Sequence, residues 1–201
     1  MLRPAVTLLN SPYATWLVLA LPAPALLADF VYDDRYYAEI MYESGLLATQ
    51  LMLLALAITP AMRLCRNWPS ALKPLRWLQK RRRYLGVASF GYAALHTLFY
   101  IRETGAAELI WLELEEVSLL VGWLAILAML APAATSNDWS VAQLGKNWKR
   151  LQMMAYVATT LTALHWWLIG QFLDEMLLWL APLALLQAPR LLRKMTSTPN
   201  Q

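Results

Sequence analysis

Apolar runs long enough to cross a lipid bilayer constrain this chain more than any other feature of its sequence. A hydrocarbon core about 30 Å thick needs about 20 helical residues, and the 201 residues contain six such runs. They lie at about 12–30, 45–63, 84–101, 117–135, 150–170 and 173–191. Because backbone N–H and C=O groups in lipid must be satisfied within their own segment, each run is predicted to be a helix. The sequence therefore predicts an all-α polytopic membrane protein with a six-helix transmembrane bundle.

The composition supports this class and leaves little room for a soluble domain. Hydrophobic residues make up 59% of the chain and charged residues only 15%, whereas soluble domains contain roughly 25% charged residues. The stretches between the runs contain no glycine-rich nucleotide loop, cysteine cluster or nucleophile motif. The first run lacks a clear cleavage site for a signal peptidase, so we expect it to be kept as a span.

The charged residues between the runs predict the orientation. Of the 17 Lys and Arg residues, 15 lie on one side of the predicted bundle, among them Arg3 and the eight of segment 63–83, while 12 of the 13 acids lie on the other side. Because basic residues concentrate in cytoplasmic loops, both termini and the 63–83 loop are predicted to be cytoplasmic. The loop does not require a nucleic-acid partner, since topology, anionic lipid headgroups or an acidic cytoplasmic partner explain its charge.

Only two histidines occur in the chain, and both lie inside apolar runs. His96 is in the third run and His165 in the fifth. Counted from Leu85 and Leu151 at the cytoplasmic ends, with a rise of about 1.5 Å per residue, they lie about 16 and 21 Å into the membrane. A single buried histidine is often only hydrogen-bonded to a neighbouring helix. Two at nearly the same depth favour a shared function, because ionisable residues within spans are costly and usually functional.

The residues around the histidines indicate which ligand they could share. Zinc normally takes three or four ligands from Cys, His, Asp or Glu, and the runs carry no acid or thiol at this depth. A proton relay would need carboxylates, which are also missing there. Haem iron needs only two axial ligands, and its pocket can be aliphatic and aromatic. Haem is therefore the hypothesis that uses only the residues present.

Three segments of the chain resemble a known protein family. They read ESGLLATQLMLLALAITP, RRRYLGVASFGYAALHTLFY and TSNDWSVAQLGKNWKRLQMMAYVATTLTALHWW. The most specific features are ITP at the end of the second run, Arg-Arg-x-Leu-Gly before the third, and Thr-Ser followed by Leu-Gly-x-x-Trp-x-x-Leu before the fifth. Over about residues 45–170 the chain resembles the MsrQ family, also called YedZ, which belongs to the ferric reductase-like transmembrane superfamily.

The resemblance implies a fold, a cofactor and a partner. The family consists of haem-binding membrane subunits of bacterial methionine sulfoxide reductase systems. It implies a single ferric reductase-like transmembrane domain over residues 1–201 and a haem b protein of the bacterial inner membrane. Such a protein passes electrons to a periplasmic molybdopterin enzyme that repairs oxidised methionine.

The resemblance also assigns roles to individual residues. His96 matches the family histidine of the third span and His165 the later histidine of the fifth, so both are expected to be axial ligands of the iron of one haem b. The chain departs from the family at Gln152, where a histidine generally follows the leucine. The third span has no histidine on its cytoplasmic side either, which excludes a second haem with two histidine ligands there. Binding of FMN on that side stays open, and Gln152 can equally be an ordinary polar residue at the headgroup boundary.

Five further residues are candidates by position alone. Arg82, Arg83 and Trp148 lie where they could contact an inner cofactor or a quinone headgroup. Tyr100 and Arg102 lie at the outer end of the third run, where they could reach haem propionates.

The expected function is that of a one-electron carrier rather than a free-standing enzyme, since the haem does the redox chemistry and both axial positions are filled. The donor would be quinol or a cytoplasmic flavin reductase, and the acceptor a periplasmic molybdopterin reductase subunit. Two alternatives stay open. One is a b561-like or ferric-reductase-like cytochrome with another acceptor. The other is a non-redox helical transporter or assembly protein in which the histidines are merely hydrogen-bonded.

Overall fold

The structure is a computed structural model that describes residues 11–32 and 37–196, with side chains described as far as residue 188. The described residues form helices joined by turns, with no strand among them. The helices are α1 Pro12–Ala20, α2 Pro22–Tyr32, α3 Tyr37–Leu64, α4 Pro69–Thr104, α5 Ala107–Glu113, α6 Val117–Ala134, α7 Asp138–Leu144, α8 Lys146–Gln152, α9 Met154–Ile169 and α10 Leu173–Thr196. The predicted all-α class is thereby confirmed. Arg3, on which the predicted side of the N-terminus depends, lies outside the described residues.

Four helical stretches of the described chain are long and apolar enough to cross a membrane. They are Pro12–Tyr32, in which α1 and α2 follow each other, then α3, α4 and α6. These correspond to the first four predicted spans, and the protein is a membrane protein. The fifth and sixth predicted spans correspond to α9, which has 16 residues, and to α10, which has two acids in its first turn. The count of six spans and the cytoplasmic position of both termini stay predictions.

The helix boundaries correct two sequence-based expectations. Segment 63–83, expected to be a loop, is mostly helical, because α4 begins at Pro69 and continues for 36 residues, about 54 Å. Proline suits a first helical turn, and the Lys, Arg, Leu and Gln residues that follow are good helix formers. The predicted span 150–170 is divided between α8 and α9 at Met153, whose N–H bonds to the carbonyl of Arg150, only three residues earlier. This bond tightens the last turn of α8 and ends the helix.

Two helix pairs build the bundle, since α3 packs mainly against α4 and α6 mainly against α9. Helix α10 packs against α3 and α9, α1 against α4, and α2 against α3. Small residues allow α3 and α4 to approach closely: the hydroxyl of Ser89, which is fully buried, donates to the carbonyl of Ala48 at 2.7 Å. Interhelical hydrogen bonds and small contact residues are the usual means of helix association in membranes.

Replacing Ser89 tests the contact between α3 and α4. Ser89→Ala removes the bond to Ala48 and should lower the free energy of unfolding by about 0.6 kcal/mol, the average for such interhelical bonds. Ser89→Leu must push the helices apart and should lower it by about 1–3 kcal/mol. Leu98→Ala, at a position of α4 that is 52% exposed, is the control and should have a smaller effect than Ser89→Leu. Chemical denaturation in detergent micelles measures all three, and a Ser89→Leu variant as stable as the wild type would contradict the close contact.

Candidate cofactor site

A partly open cavity of about 370 Å³ is lined mainly by residues of α3, α4, α6 and α9. Its volume lies within the roughly 300–1,000 Å³ typical of ligand and cofactor sites. His96 of α4 and His165 of α9 both line it, so the two histidines lie at one cavity. The wall is largely apolar, and its small and aliphatic members include Met41, Gly45, Ala48, Met52, Ala93, Leu119, Gly122, Ala125, Ile126 and Met129.

His96 is held by the backbone of the neighbouring helix α3. Its Nδ1 atom lies 2.9 Å from the carbonyl oxygen of Met41 and 3.3 Å from Oγ of Ser44. The hydroxyl of Ser44, which is fully buried, donates to the same Met41 carbonyl at 3.0 Å. A carbonyl oxygen can only accept, so Nδ1 of His96 carries the hydrogen and donates it. In the neutral ring Nε2 is then the nitrogen with the free lone pair.

His165 is held in the same way by helix α6. Its Nδ1 atom lies 2.6 Å from the carbonyl oxygen of Ser118, so this ring also has its hydrogen on Nδ1. Within the described part of the chain, the ring bonds of both His96 and His165 are made through Nδ1, and no residue there bonds to either Nε2. A hydrogen bond that orients one ring nitrogen while the other is left for a metal is the usual arrangement of metal-ligating histidines.

This set of donors fits a cofactor metal that takes two ligands from the protein. Among the residues that the structure describes, no three His, Cys, Asp or Glu side chains come close enough together to hold a metal ion. A zinc site made by protein ligands alone would need such a group. Two neutral imidazoles at one apolar cavity are instead what an axially ligated haem iron requires. The residues present therefore fit the haem that the sequence predicts.

Two tyrosines on the cavity wall donate hydrogen bonds to glutamates of the acidic segments, which are predicted to lie on the outer side. Tyr42 of α3 bonds to Glu175 at the start of α10, and Tyr100 of α4 bonds to Glu113 at the end of α5. Both glutamates belong to the acidic side of the chain. The two pairs therefore mark the end of the cavity that is nearer the predicted outer face.

Tyr100 and Arg102, the two residues expected near haem propionates, are placed differently. Tyr100 lines the cavity, and its ring stands edge-on to Trp123 with 6.3 Å between the ring centres. Arg102 is exposed, and its guanidinium lies over the ring of Phe30 in α2, 4.5 Å from the ring centre. Only Tyr100 of the two is thus brought to the cavity, and a contact of Arg102 with a propionate stays a prediction.

Arg82, Arg83 and Trp148, expected near an inner cofactor or quinone, are not among the residues that line the cavity. Arg82 donates to the hydroxyl of Thr59 at 3.3 Å. Arg83 forms an ion pair with the exposed Asp138 at 2.5 Å. Each side chain therefore has a bonding partner inside the protein, and the role of these residues toward a cofactor or quinone stays a prediction.

Gln152 and Trp148 bind the C-terminal end of helix α6. Nε2 of Gln152 donates to the carbonyl of Pro132 at 3.0 Å and lies 3.4 Å from the hydroxyl of Thr135. The indole N–H of Trp148 donates to the carbonyl of Thr135 at 2.9 Å, and the hydroxyl of Ser136 donates to that of Pro132 at 2.7 Å. The last carbonyls of a helix lack partners within the helix, and these side chains satisfy them. Gln152 thus caps a helix at the position where the family generally has histidine.

The groups that orient the histidines leave no signal in the sequence. The acceptors at Met41 and Ser118 are backbone carbonyls, which any residue supplies, so no sequence signal identifies them. Glu113 and Glu175 are recognisable only as members of the acidic side. Their tyrosine partners lie 13 and 133 residues away along the chain, and the longer separation is closed only by the fold.

Comparison with known proteins finds similarity over most of the chain. The family described as "Ferric reductase like transmembrane component" matches residues 44–163. The chain is 32% identical over 173 residues to the "Protein-methionine-sulfoxide reductase heme-binding subunit MsrQ" of Xanthomonas campestris pv. campestris (strain B100), which covers 80% of this chain and 72% of that relative. It is 33% identical over 166 residues to the MsrQ subunit of Xanthomonas axonopodis pv. citri (strain 306), with the same coverage. No solved structure matches.

Substitution of Gln152 tests its capping role. Gln152→Glu turns a donor into an acceptor that faces the Pro132 carbonyl, and should lower the free energy of unfolding by about 1–3 kcal/mol. Gln152→Ala only removes the bond and should lower it by about 0.5–1.5 kcal/mol. Gln79→Glu, at an exposed position of α4, is the matched control and should be nearly neutral. Thermal unfolding in detergent compares the three, and equal stability of the two glutamate variants would speak against a cap.

Proposed function

Because the chain belongs to the MsrQ family of ferric reductase-like transmembrane proteins, we propose that it is a haem b membrane subunit that carries electrons to a methionine sulfoxide reductase. The observation that carries the proposal is that His96 and His165 line one apolar cavity with Nδ1 of each ring bonded to a backbone carbonyl, which leaves both Nε2 atoms available as ligands. The names of the relatives, which are heme-binding subunits, support the choice of cofactor.

His96 and His165 would hold the iron of one haem b from two sides. When bound, the haem supplies a reversible one-electron couple. The carbonyls of Met41 and Ser118 keep each imidazole in the tautomer that can ligate through Nε2, and their hydrogen bonds raise the basicity of the ligand. The largely apolar wall would limit the access of water to the ligands. With both axial positions taken by the protein, the subunit would transfer electrons rather than act as a free-standing enzyme.

Electrons would leave at the outer end of the cavity. Tyr42, Tyr100 and Trp166 line the cavity there, next to the acidic segments that contain Glu113 and Glu175. The acceptor would be a periplasmic molybdopterin reductase subunit, as the family resemblance implies. The donor would be quinol in the membrane or a cytoplasmic flavin reductase, with quinone or FMN bound on the opposite, inner side.

The proposal includes a topology in the bacterial inner membrane. The chain would cross the membrane six times, with α9 and α10 as the fifth and sixth spans and both termini in the cytoplasm. The charge distribution supports this orientation, because segment 63–83 contains eight of the basic residues and no acid. The long α4 would then extend from the membrane into the cytoplasm at its N-terminal end.

A second candidate is a ferric-reductase-like cytochrome with another acceptor. The description of the matching family favours it, because that description names ferric reductases. The haem site would be the same in both cases, and only the acceptor would differ. Oxidation of the reduced protein by a periplasmic molybdopterin reductase, compared with oxidation by a ferric chelate, separates the two candidates.

A visible spectrum of the purified protein tests the haem assignment. We expect about one haem b per chain and a low-spin spectrum with sharp bands after reduction. His96→Ala and His165→Ala should each lose the haem or make it high-spin, because removal of one axial bond leaves five-coordinate iron. A colourless wild type from haem-replete cells, or a low-spin spectrum in either variant, would contradict the assignment.

The Gln152→His variant tests whether the chain holds one haem or two. The structure gives Gln152 a bond to the carbonyl of Pro132, and α4 carries no histidine near the inner end that could serve as the second ligand. We therefore expect the haem content of the variant to stay at about one per chain. A rise to two haems would contradict the single-haem proposal. Faster reduction by a flavin reductase at constant haem content would locate electron entry beside residue 152.

A further inference from the structure

A glycine lies against each of the two cavity histidines. At Gly45 of α3, a Cβ atom would lie 3.1 Å from both Cε1 and Nδ1 of His96. At Gly122 of α6, it would lie 2.8 Å from Cε1 and 2.9 Å from Nδ1 of His165. Each ring therefore rests directly on the backbone of the neighbouring helix, and a Cβ would contact it tightly at Gly45 and would clash with it at Gly122.

The two glycines occupy the same position relative to the carbonyl that orients the ring. Met41, whose carbonyl accepts from His96, precedes Gly45 by four residues, and Ser118, whose carbonyl accepts from His165, precedes Gly122 by four residues. Residues four apart stand one above the other on a helix face. Each imidazole thus lies along one turn of the neighbouring helix. Its Nδ1 bonds to the carbonyl at one end of that turn, and its ring edge contacts the glycine at the other. The helix pairs α3–α4 and α6–α9 thus hold their histidines with the same arrangement of a carbonyl and a glycine four residues apart.

We propose that Gly45 and Gly122 are positioning residues for the axial histidines. The absence of a Cβ lets each ring approach closely enough for Nδ1 to donate to its carbonyl, and that bond leaves Nε2 free for the iron. This inference rests on the proposed haem function and deepens it. Gly45 and Gly122 would themselves make no contact with the iron, but they would set the orientation of the two histidines that bind it.

The contact between glycine and histidine ring is closer at Gly122 than at Gly45. The two substitutions are therefore expected to disturb ligation to different degrees. At Gly122 the two nearest contacts, with Cε1 and Nδ1 of His165, are below 3.0 Å, and Nε2 lies at 3.3 Å, so an added methyl group must displace the ring from the Ser118 carbonyl. At Gly45 the ring of His96 needs to give by only a few tenths of an ångström, and its Nδ1 has a second partner in Ser44 at 3.3 Å. Gly122→Ala should therefore disturb ligation more than Gly45→Ala.

The experiment compares four alanine variants of the full chain in detergent. Gly86→Ala and Gly91→Ala are matched controls, because both glycines lie on α4 and a Cβ at either would meet nothing within 4 Å. The readouts are haem per chain, the electron paramagnetic resonance and visible signatures of low-spin iron, haem affinity, and thermal unfolding of the haem-free form. Alanine is favoured over glycine in helices, so a loss of ligation does not follow from a weakened helix.

Gly122→Ala should lower haem affinity roughly tenfold or more, the scale seen when an orienting partner of a ligand is lost, and should shift the remaining haem toward high spin. Gly45→Ala should keep the haem but change its low-spin resonance. Both controls should match the wild type in haem content, haem affinity and spin state.

Several outcomes would overturn the inference. An unchanged low-spin signal and affinity in Gly122→Ala, with a normal low-spin wild type, would refute it and leave the haem proposal intact. An equal loss of haem affinity or of the low-spin signal in Gly86→Ala or Gly91→Ala would refute the inference as well. A wild type without haem would refute both the inference and the haem proposal. If Gly122→Ala does not accumulate, the double variant Gly122→Ala, His165→Ala removes the ring that the methyl group meets. Recovery of the folded protein in that variant would support the close contact between Gly122 and the ring of His165. Failure to recover it would refute the inference.

Discussion

The hydrogen bond from Nδ1 of each cavity histidine to a carbonyl of the neighbouring helix is the contact on which the candidate site depends. An imidazole N–H without a partner would be costly in a lipid-embedded bundle, because no water replaces the missing acceptor. The carbonyls of Met41 and Ser118 can provide this acceptor within a helix, since a carbonyl oxygen has two lone pairs. One bond per ring then sets the tautomer, the ring orientation and the free lone pair of Nε2. The close packing of α3 on α4 and of α6 on α9 is what brings donor and acceptor within range.

The motifs that connect the chain to its family lie mainly at the end of the bundle that is predicted to face the cytoplasm, where they bind one another. Thr59 of ITP accepts from Arg82 of Arg-Arg-x-Leu-Gly, and the neighbouring Ile58 packs with Leu85 in one buried cluster. Trp148 likewise caps the helix that ends before Thr-Ser. These residues hold helix ends together and do not line the cavity. An amide can replace histidine at residue 152 because both side chains can donate an N–H to a helix-terminal carbonyl.

At the end of the cavity that is predicted to face outward, acidic side chains bond directly to the cavity wall. Glu113 comes from α5, a helix of seven residues, and Glu175 from the first turn of α10. Their bonds to Tyr100 and Tyr42 attach two outer segments to helices that also hold the site. Trp166, next to His165 in the sequence, stands edge-on to Tyr42 with 6.4 Å between the ring centres. At this end of the cavity, aromatic side chains of the wall are therefore bonded to acidic side chains of the neighbouring segments.

The sequence by itself determined the all-α class and the membrane setting, because the bilayer imposes a length and an apolarity that can be read along one dimension. It did not reveal that the basic segment 63–83 continues as helix, since charge is compatible with both a loop and a helix outside the lipid. Only the tertiary structure decided which helix faces meet, and with them the shared cavity, the carbonyl partners and the close approach of each ring to Gly45 or Gly122. The physical reason is that these contacts join backbone atoms and side chains of different helices, whose packing depends on the shape of both partners at once.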